Sequence, residues 1–150
     1  MSTREFTTRR SGIVNALVER LKEINGMGQF HTDLNENVSP RLKFWDEVEE
    51  FPAVHLNAGS ETREYQAGGY KDRFMSVTIR CYVQDDDSVQ ALDELLEDVE
   101  TMLEDSSRLE YRDLRGEPLY TKQITIISID TDEGVLEPLG VGEMLIEVHY

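Results

Sequence analysis

Cysteine is nearly absent. The 150 residues hold one, Cys81, which excludes an intramolecular disulfide framework and a cysteine-based metal cluster and fits a reducing site of action. Basic residues are scarce as well. Fifteen Lys and Arg stand against 31 Asp and Glu, a formal net charge of −16. A protein that grips nucleic acid neutralises phosphates with Lys and Arg, so this balance argues against that function. Charge of this size favours solubility and self-repulsion. No apolar run approaches the roughly 18 residues of a membrane span, and Met1–Arg10 is polar throughout, unlike a signal sequence. A cytosolic site is the resulting expectation. Repeats and low-complexity tracts are missing too.

What remains is a chain of a length that suits one domain, residues 1–150, with enough residues to bury a real core. The acid is unevenly placed. Residues 1–50 hold 7 basic and 9 acidic groups, whereas 51–100 and 101–150 hold 4 and 11 each.

The clearest stretch is 74–104. Met75, Val77, Ile79, Cys81 and Val83 alternate with Ser76, Thr78 and Arg80, the period of a half-buried strand. On that core face Cys81 behaves as a small hydrophobe, not a reactive thiol. Asp85-Asp86-Asp87-Ser88 stops the strand, and Asp87 or Ser88 can cap a helix. Val89, Leu92, Leu95, Leu96, Val99, Met102 and Leu103 then form its apolar stripe, with Asp93, Glu94, Glu97, Asp98, Glu100 and Glu104 on the outer side.

Before it, Ile13, Val14, Leu17, Val18, Leu21 and Ile24 space a first amphipathic helix from about Thr8 to Ile24, ending at Asn25-Gly26. Residues 26–50 show no period and read as a connecting arm, with a short strand near Arg41–Trp45 and Phe44, Trp45 and Phe51 as its anchors to the core. A strand follows over Phe51–Ala58 and ends at Gly59. Later strands are expected at Gln123–Asp130, buried on both faces or bulged, and at Glu143–Tyr150, with a short one possible near Leu109–Leu114. The fold class is α+β, a mostly antiparallel sheet with two amphipathic helices packed on one face.

Chemistry-bearing constellations are few. His31, His55 and His149 lack metal-ligand spacing, and His55 and His149 fall on outward strand faces. Three consecutive acids at 85–87 point in different directions, unlike a calcium cage. Asp130-Thr-Asp132-Glu-Gly134 reads as a turn, because the third ligand and the Glu at the twelfth position are missing. No catalytic residue, cofactor or metal site emerges, and an enzyme is not expected.

Residues 59–73 read as a polar hairpin connection with Gly68-Gly69 at its tip. Arg63, Tyr65, Tyr70, Lys71 and Arg73 make it the one basic, aromatic patch in the acidic two thirds. It is either a solvated loop or a contact with a neighbouring subunit or partner, since Tyr and Arg are favoured at interfaces.

Phe51-Pro-Ala-Val-His-Leu-Asn-Ala-Gly-Ser-Glu61, the strand-Asp-helix unit at 74–104, and Gly142-Glu-Met-Leu-Ile-Glu-Val-His-Tyr150 together resemble the tail terminator (tail completion) proteins of tailed bacteriophages. That resemblance implies a structural virion protein of the tail or neck, assembled in the host cytoplasm. It implies a homo-hexameric ring that caps the tail tube, ends tube polymerisation and offers a surface for head attachment. The implied partners are tail tube protein, possibly tail sheath, and head–tail connector proteins, with DNA passing through unbound. A head–tail joining component and a small-ligand-binding α+β module are the alternatives.

Overall fold

A computed structural model describes residues 8–112 and 116–150, apart from the side chain of Trp45. The first helix, α1, spans Arg9–Leu21. Thr8 starts it, its hydroxyl accepting from the Ser11 N–H at 3.1 Å, and the helix ends at Leu21, short of Asn25-Gly26. Ile24 is buried all the same. Gly12 lets α1 lie on the backbone of Arg112, where a Cβ would collide with the carbonyl oxygen.

The strands among the described residues are β1 (Val38–Ser39), β2 (Ala53–Tyr65), β3 (Lys71–Gln84), β4 (Glu110–Arg112), β5 (Pro118–Tyr120), β6 (Gln123–Thr131) and β7 (Leu139–His149). The second helix, α2 (Ser88–Glu104), joins β3 to β4. The main sheet runs β1-β2-β3-β7-β6, and β4 pairs with β5 in a small second sheet. Only β1 and β2 are parallel. The fold is α+β, as the periodicities predict.

The period of two in β3 explains the layering. Met75, Val77, Ile79 and Cys81 are fully buried, as are Met144, Ile146 and Val148 on β7. They form one core with the apolar stripes of both helices. Burial pushes the Cys81 thiol up to about 12, so the thiolate does not form near neutrality. Asp87 caps α2, accepting from the Gln90 N–H at 3.2 Å.

Several expectations need correction. Asp98 does not face solvent. It is fully buried, and its carboxylate accepts from the His31 N–H at 2.9 Å and the Thr32 N–H at 2.7 Å. The arm crosses α2 at that point, so part of the helix's polar side is covered. Val89 is 44% exposed, because the first turn of α2 lies against the turn at Gly134 rather than over the core. The arm's strand sits at Val38–Ser39, not 41–45, and Trp45–Glu47 is a 3-10 turn. Leu34, Val38 and Val48 anchor the arm, whereas Phe44 is 70% exposed. Phe51 packs, partly buried, on a small cluster of Val48, Ala53 and Tyr82. Apolar spacing misses that cluster because it lies on the second face of the sheet, under the arm. His55 is there too, 4% exposed, not on the surface, with its ring 5.1 Å from that of Tyr82.

In β6 the broken alternation is a bulge between Ile126 and Ser128, which leaves Ile127 and Ile129 exposed on an edge strand. β4 falls within 109–114, while Leu114 lies outside the described residues. β7 begins at Leu139, four residues before the expected start.

Asp98→Ala should destabilise the protein by about 3 kcal/mol, because two partly buried backbone N–H groups lose a charged acceptor. Asp98→Asn keeps one acceptor oxygen and should cost less. Urea unfolding of the three proteins checks this, and equal midpoints would show that the arm is not held there.

Candidate functional site

The segment 59–73 is not a loose connection. β2 passes through Gly59 to Tyr65 and β3 starts at Lys71, leaving only residues 66–70 to turn. Gly68 and Gly69 stand at the tip with φ of 83° each, a conformation that side chains disfavour. A two-stranded arm therefore extends from the sheet, with Tyr65 and Tyr70 more than 70% exposed near its end.

One extra residue in β2 sets what this arm displays. Ala58 pairs with Val77, but Glu61 pairs with Met75. Three steps on β2 oppose two on β3, which is a bulge. Beyond it every β2 side chain changes face. Glu61 thereby joins the helix side of the sheet, and so do Arg63 and Arg73, which are directly opposite one another. Arg73 exchanges both backbone hydrogen bonds with Tyr150, at 3.2 and 2.9 Å, so Tyr150 completes the row.

The N-terminus of α1 meets this row. The Glu61 carboxylate, whose side chain is 7% exposed, accepts from the Tyr150 hydroxyl. It pairs with Arg63 at 2.8 Å and Arg10 at 3.6 Å. Arg10 also donates to the Gly59 carbonyl, clasping the bulge. Burial pushes the Glu61 carboxyl up, but the hydrogen bonds from Tyr150 and Arg63 and the charges of Arg63 and Arg10 outweigh it and hold it below the usual range. Arg73 and Arg9 lie over the Tyr150 ring, 5.7 and 5.9 Å from its centre, within cation–π reach. Tyr111 meets the same ring edge-on at 6.3 Å.

The other face of the arm is held separately. Asp72 receives Lys122 and His149, each at 2.9 Å, and the His149 ring stacks on Phe74 at 4.5 Å. Hydrogen bonds from His149 and then Lys122 hold the Asp72 carboxyl down at about 2. His149 is thus half-buried and paired, not a free surface group.

Of the five residues the sequence singles out, Arg63 and Arg73 come together. Tyr65 and Lys71 pair at the tip, with the Lys71 ammonium 5.9 Å from the ring centre. Tyr70 stands beside Gly68 away from Arg63 and Arg73. Sequence reasoning misses Arg9, Arg10, Glu61 and Tyr150. Only the double arginine that opens α1 marks their place along the chain, and the bulge that gathers them has no apolar pattern to betray it.

No other place offers comparable chemistry. A pocket of about 190 Å³ lies between Asn37, Lys43, Val48, Glu49, Glu50 and His55. Burial, then the Lys43 charge, lowers the His55 imidazole. Asp132 closes its turn by accepting from Leu136 and Val141 N–H groups. Among the described residues no three His, Cys, Asp or Glu side chains converge as metal ligands.

Comparisons with known proteins point the same way as the fold. The model of a family described as Bacteriophage Tail Tube Terminator Protein matches residues 7–150. Tail tube terminator protein p142 of Escherichia phage T5 is 30% identical over 149 residues, covering 94% of this chain and 92% of that protein. A chain in the virion of a native gene transfer agent particle superposes with a TM-score of 0.58 at 8% identity, covering 95% of this chain and 98% of that one. The last similarity is one of fold.

Because the folded Asp72 lies near 2 against an ordinary value of 3.8, its contribution to stability is present above the ordinary value. It is lost as pH falls from about 4 to 2. Asp72→Asn should flatten the stability profile in that window and leave it unchanged in shape at higher pH. Chemical denaturation across pH 2–6 reads this out, and a mutant as acid-sensitive as the parent there would discount the Asp72 cluster.

Proposed function

The chain belongs to the bacteriophage tail tube terminator protein family, and from that premise we propose that it assembles as a closed ring capping the tail tube. As a member of that family it is a structural protein of the virion tail. In the proposed role the ring ends tube polymerisation and presents the surface to which the head or its connector attaches. The partners are further copies of the chain, tail tube protein, possibly sheath, and the connector. A hexamer is the proposed stoichiometry. DNA passes through the ring without being held, and no catalysis is involved.

The observation that supports the ring is the state of the sheet's two margins. β6 is an outer strand with one neighbour, β7. On the opposite margin β1 pairs only with Val54 and His55, so from Leu56 to Tyr65 the outer side of β2 carries no strand among the described residues. Unpaired strand edges are templates for another chain. Two different edges on opposite sides of one subunit suit head-to-tail contacts, which close into rings when the rotation permits. The arm with Arg63, Tyr65, Tyr70, Lys71 and Arg73 borders the β2 margin, and we assign it to the contact between neighbouring subunits or with a tail partner. Non-binding passage of DNA is supported by the helix-free face of the sheet. There Arg80 is paired with Glu143 at 2.9 Å and Lys122 with Asp72, so those cations are not free for phosphates.

Negative-stain imaging and mass measurement test this directly. A ring with a central channel is expected, and a chain that stays monomeric and never joins tail tubes would overturn the reading. Deleting the gene should give overlong tails. Tails of normal length without heads would assign the chain to head–tail joining. Reversing Arg63 and Arg73 to Glu should weaken assembly at least about tenfold with the circular dichroism spectrum unchanged. Full assembly of that variant would remove the arm from the contact.

A further inference from the structure

We infer that the arginine corner beneath the arm docks onto the outer, carboxylate-bearing side of α2 in a second copy of the chain. The inference rests on the ring reading above and names the surface the arm would meet.

Four guanidinium groups, those of Arg9, Arg10, Arg63 and Arg73, converge on two acceptors. One is the Glu61 carboxylate, shared by Arg10 and Arg63. The other is the Tyr150 ring, flanked by Arg9 and Arg73. Among the described residues Arg9 and Arg73 form no ion pair. Arg63 and Arg73 are directly opposed across the strands, where like charges repel. A single carboxylate leaves a local excess of positive charge, in a chain whose formal charge is −16. No other carboxylate among the described residues offsets it, although the chain holds 31 acids. The geometry is also fixed. The bulge, the Arg10 clasp and the Tyr150 ring hold the corner, so its charges are presented without further ordering, which favours binding.

The complementary surface has the reverse defect. α2 contains no Lys or Arg in its 17 residues. On its outer side Asp93, Glu100 and Glu104 have no cationic partner among the described residues, and Glu97 meets only His31, at 3.3 Å. Glu104 and the C-cap Asp105 stand at the negative end of the helix dipole, where cations are the stabilising choice. Local rules broken without compensation inside the subunit are the signature of a functional surface. Here the two violations have opposite sign, and each offsets the other when two copies meet head to tail. A patch that is basic on one side of the subunit and acidic on another is heterologous and therefore suits a ring rather than a two-fold dimer. Arg is the better cation for this purpose, since its planar fork takes carboxylates in pairs.

The test is a charge swap read by sedimentation velocity at low salt over a range of concentrations. Arg63→Glu with Arg73→Glu, and separately Glu97→Lys with Glu100→Lys and Glu104→Lys, should each weaken self-association at least about tenfold, within the range seen for close interfacial charge pairs. Combining all five should restore it to within about threefold of the parent. Asp46→Lys with Glu47→Lys and Glu49→Lys makes the same change in net charge away from α2 and should not weaken association. Loss with the arginine reversals, but no effect of the α2 reversals and no recovery in the combination, would overturn the assignment to α2 and leave the arm as a contact. No loss in either set, or a parent that remains monomeric throughout, would overturn the ring reading with it.

Discussion

The extra residue in β2 between Ala58 and Glu61 decides what half of the molecule can do. Without it, register would continue from Ala58–Val77, and Glu61, Arg63 and Tyr65 would face the helix-free side of the sheet. With it, Glu61 turns beneath the start of α1 and the arginines line up with Tyr150. Four separate parts of the chain then depend on one another: the first turn of α1, the arm, the end of β7, and Tyr111 of β4. Arg10 joins the first two through both the Glu61 carboxylate and the Gly59 carbonyl. Bulges re-aim side chains at sheet margins, and this one converts a plain hairpin into a charged, rigid projection.

The sheet below that projection has two unlike faces. On one, both helices bury a continuous apolar core. On the other, cross-strand partners are mostly polar or charged, Arg80 with Glu143 and Ser76 with Glu147, while Thr78 pairs with the apolar Leu145. Part of that second face is not open, since the connecting arm covers Ala53, His55 and Tyr82. The arm is secured at both ends by polar groups, Asp98 holding His31 and Thr32 and Tyr82 holding the Lys43 carbonyl at 2.7 Å. A segment with little regular structure is thus ordered by three hydrogen bonds and three apolar anchors, which explains how about 25 residues without a period fit a compact fold.

What could be read in the sequence follows from which forces leave a period. β3 and α2 bury one face each, so alternation in one and the three-and-four spacing in the other identify them, and the cap at Asp87 follows from its place between them. Ile126-Ile127 broke the alternation of β6 and so marked it as either buried on both faces or bulged, and the structure shows the bulge. The bulge in β2 left no such mark, because the residues beyond Ala58 are polar on either face. Asp98 and His55 were misplaced for a related reason: period gives the face of an element but not what the rest of the chain lays over it. Phe44 fails as an anchor because aromatic area favours burial only where a neighbour exists to cover it. Of the candidate residues, Arg63 and Arg73 were legible as a departure from an acidic background. The carboxylate and the ring that organise them came from other strands and were not.

Charge finally constrains how such a subunit can associate. Copies of a chain at −16 repel one another over a distance set by the Debye length, about 8 Å at physiological salt. Apolar contact alone would have to overcome that field at every interface of a ring. A local cation excess changes the balance only if it is placed where copies meet, because beyond a few ångströms salt removes its effect while the acid elsewhere keeps the subunits apart in wrong orientations. Concentrating arginine at one corner and excluding it from α2 therefore does two things at once. In the proposed ring it would favour a single head-to-tail register and leave other pairings opposed by like charge, which is how electrostatics confers specificity more than affinity. An acidic surface with one basic corner is, on this argument, a condition for ordered closure rather than an obstacle to it.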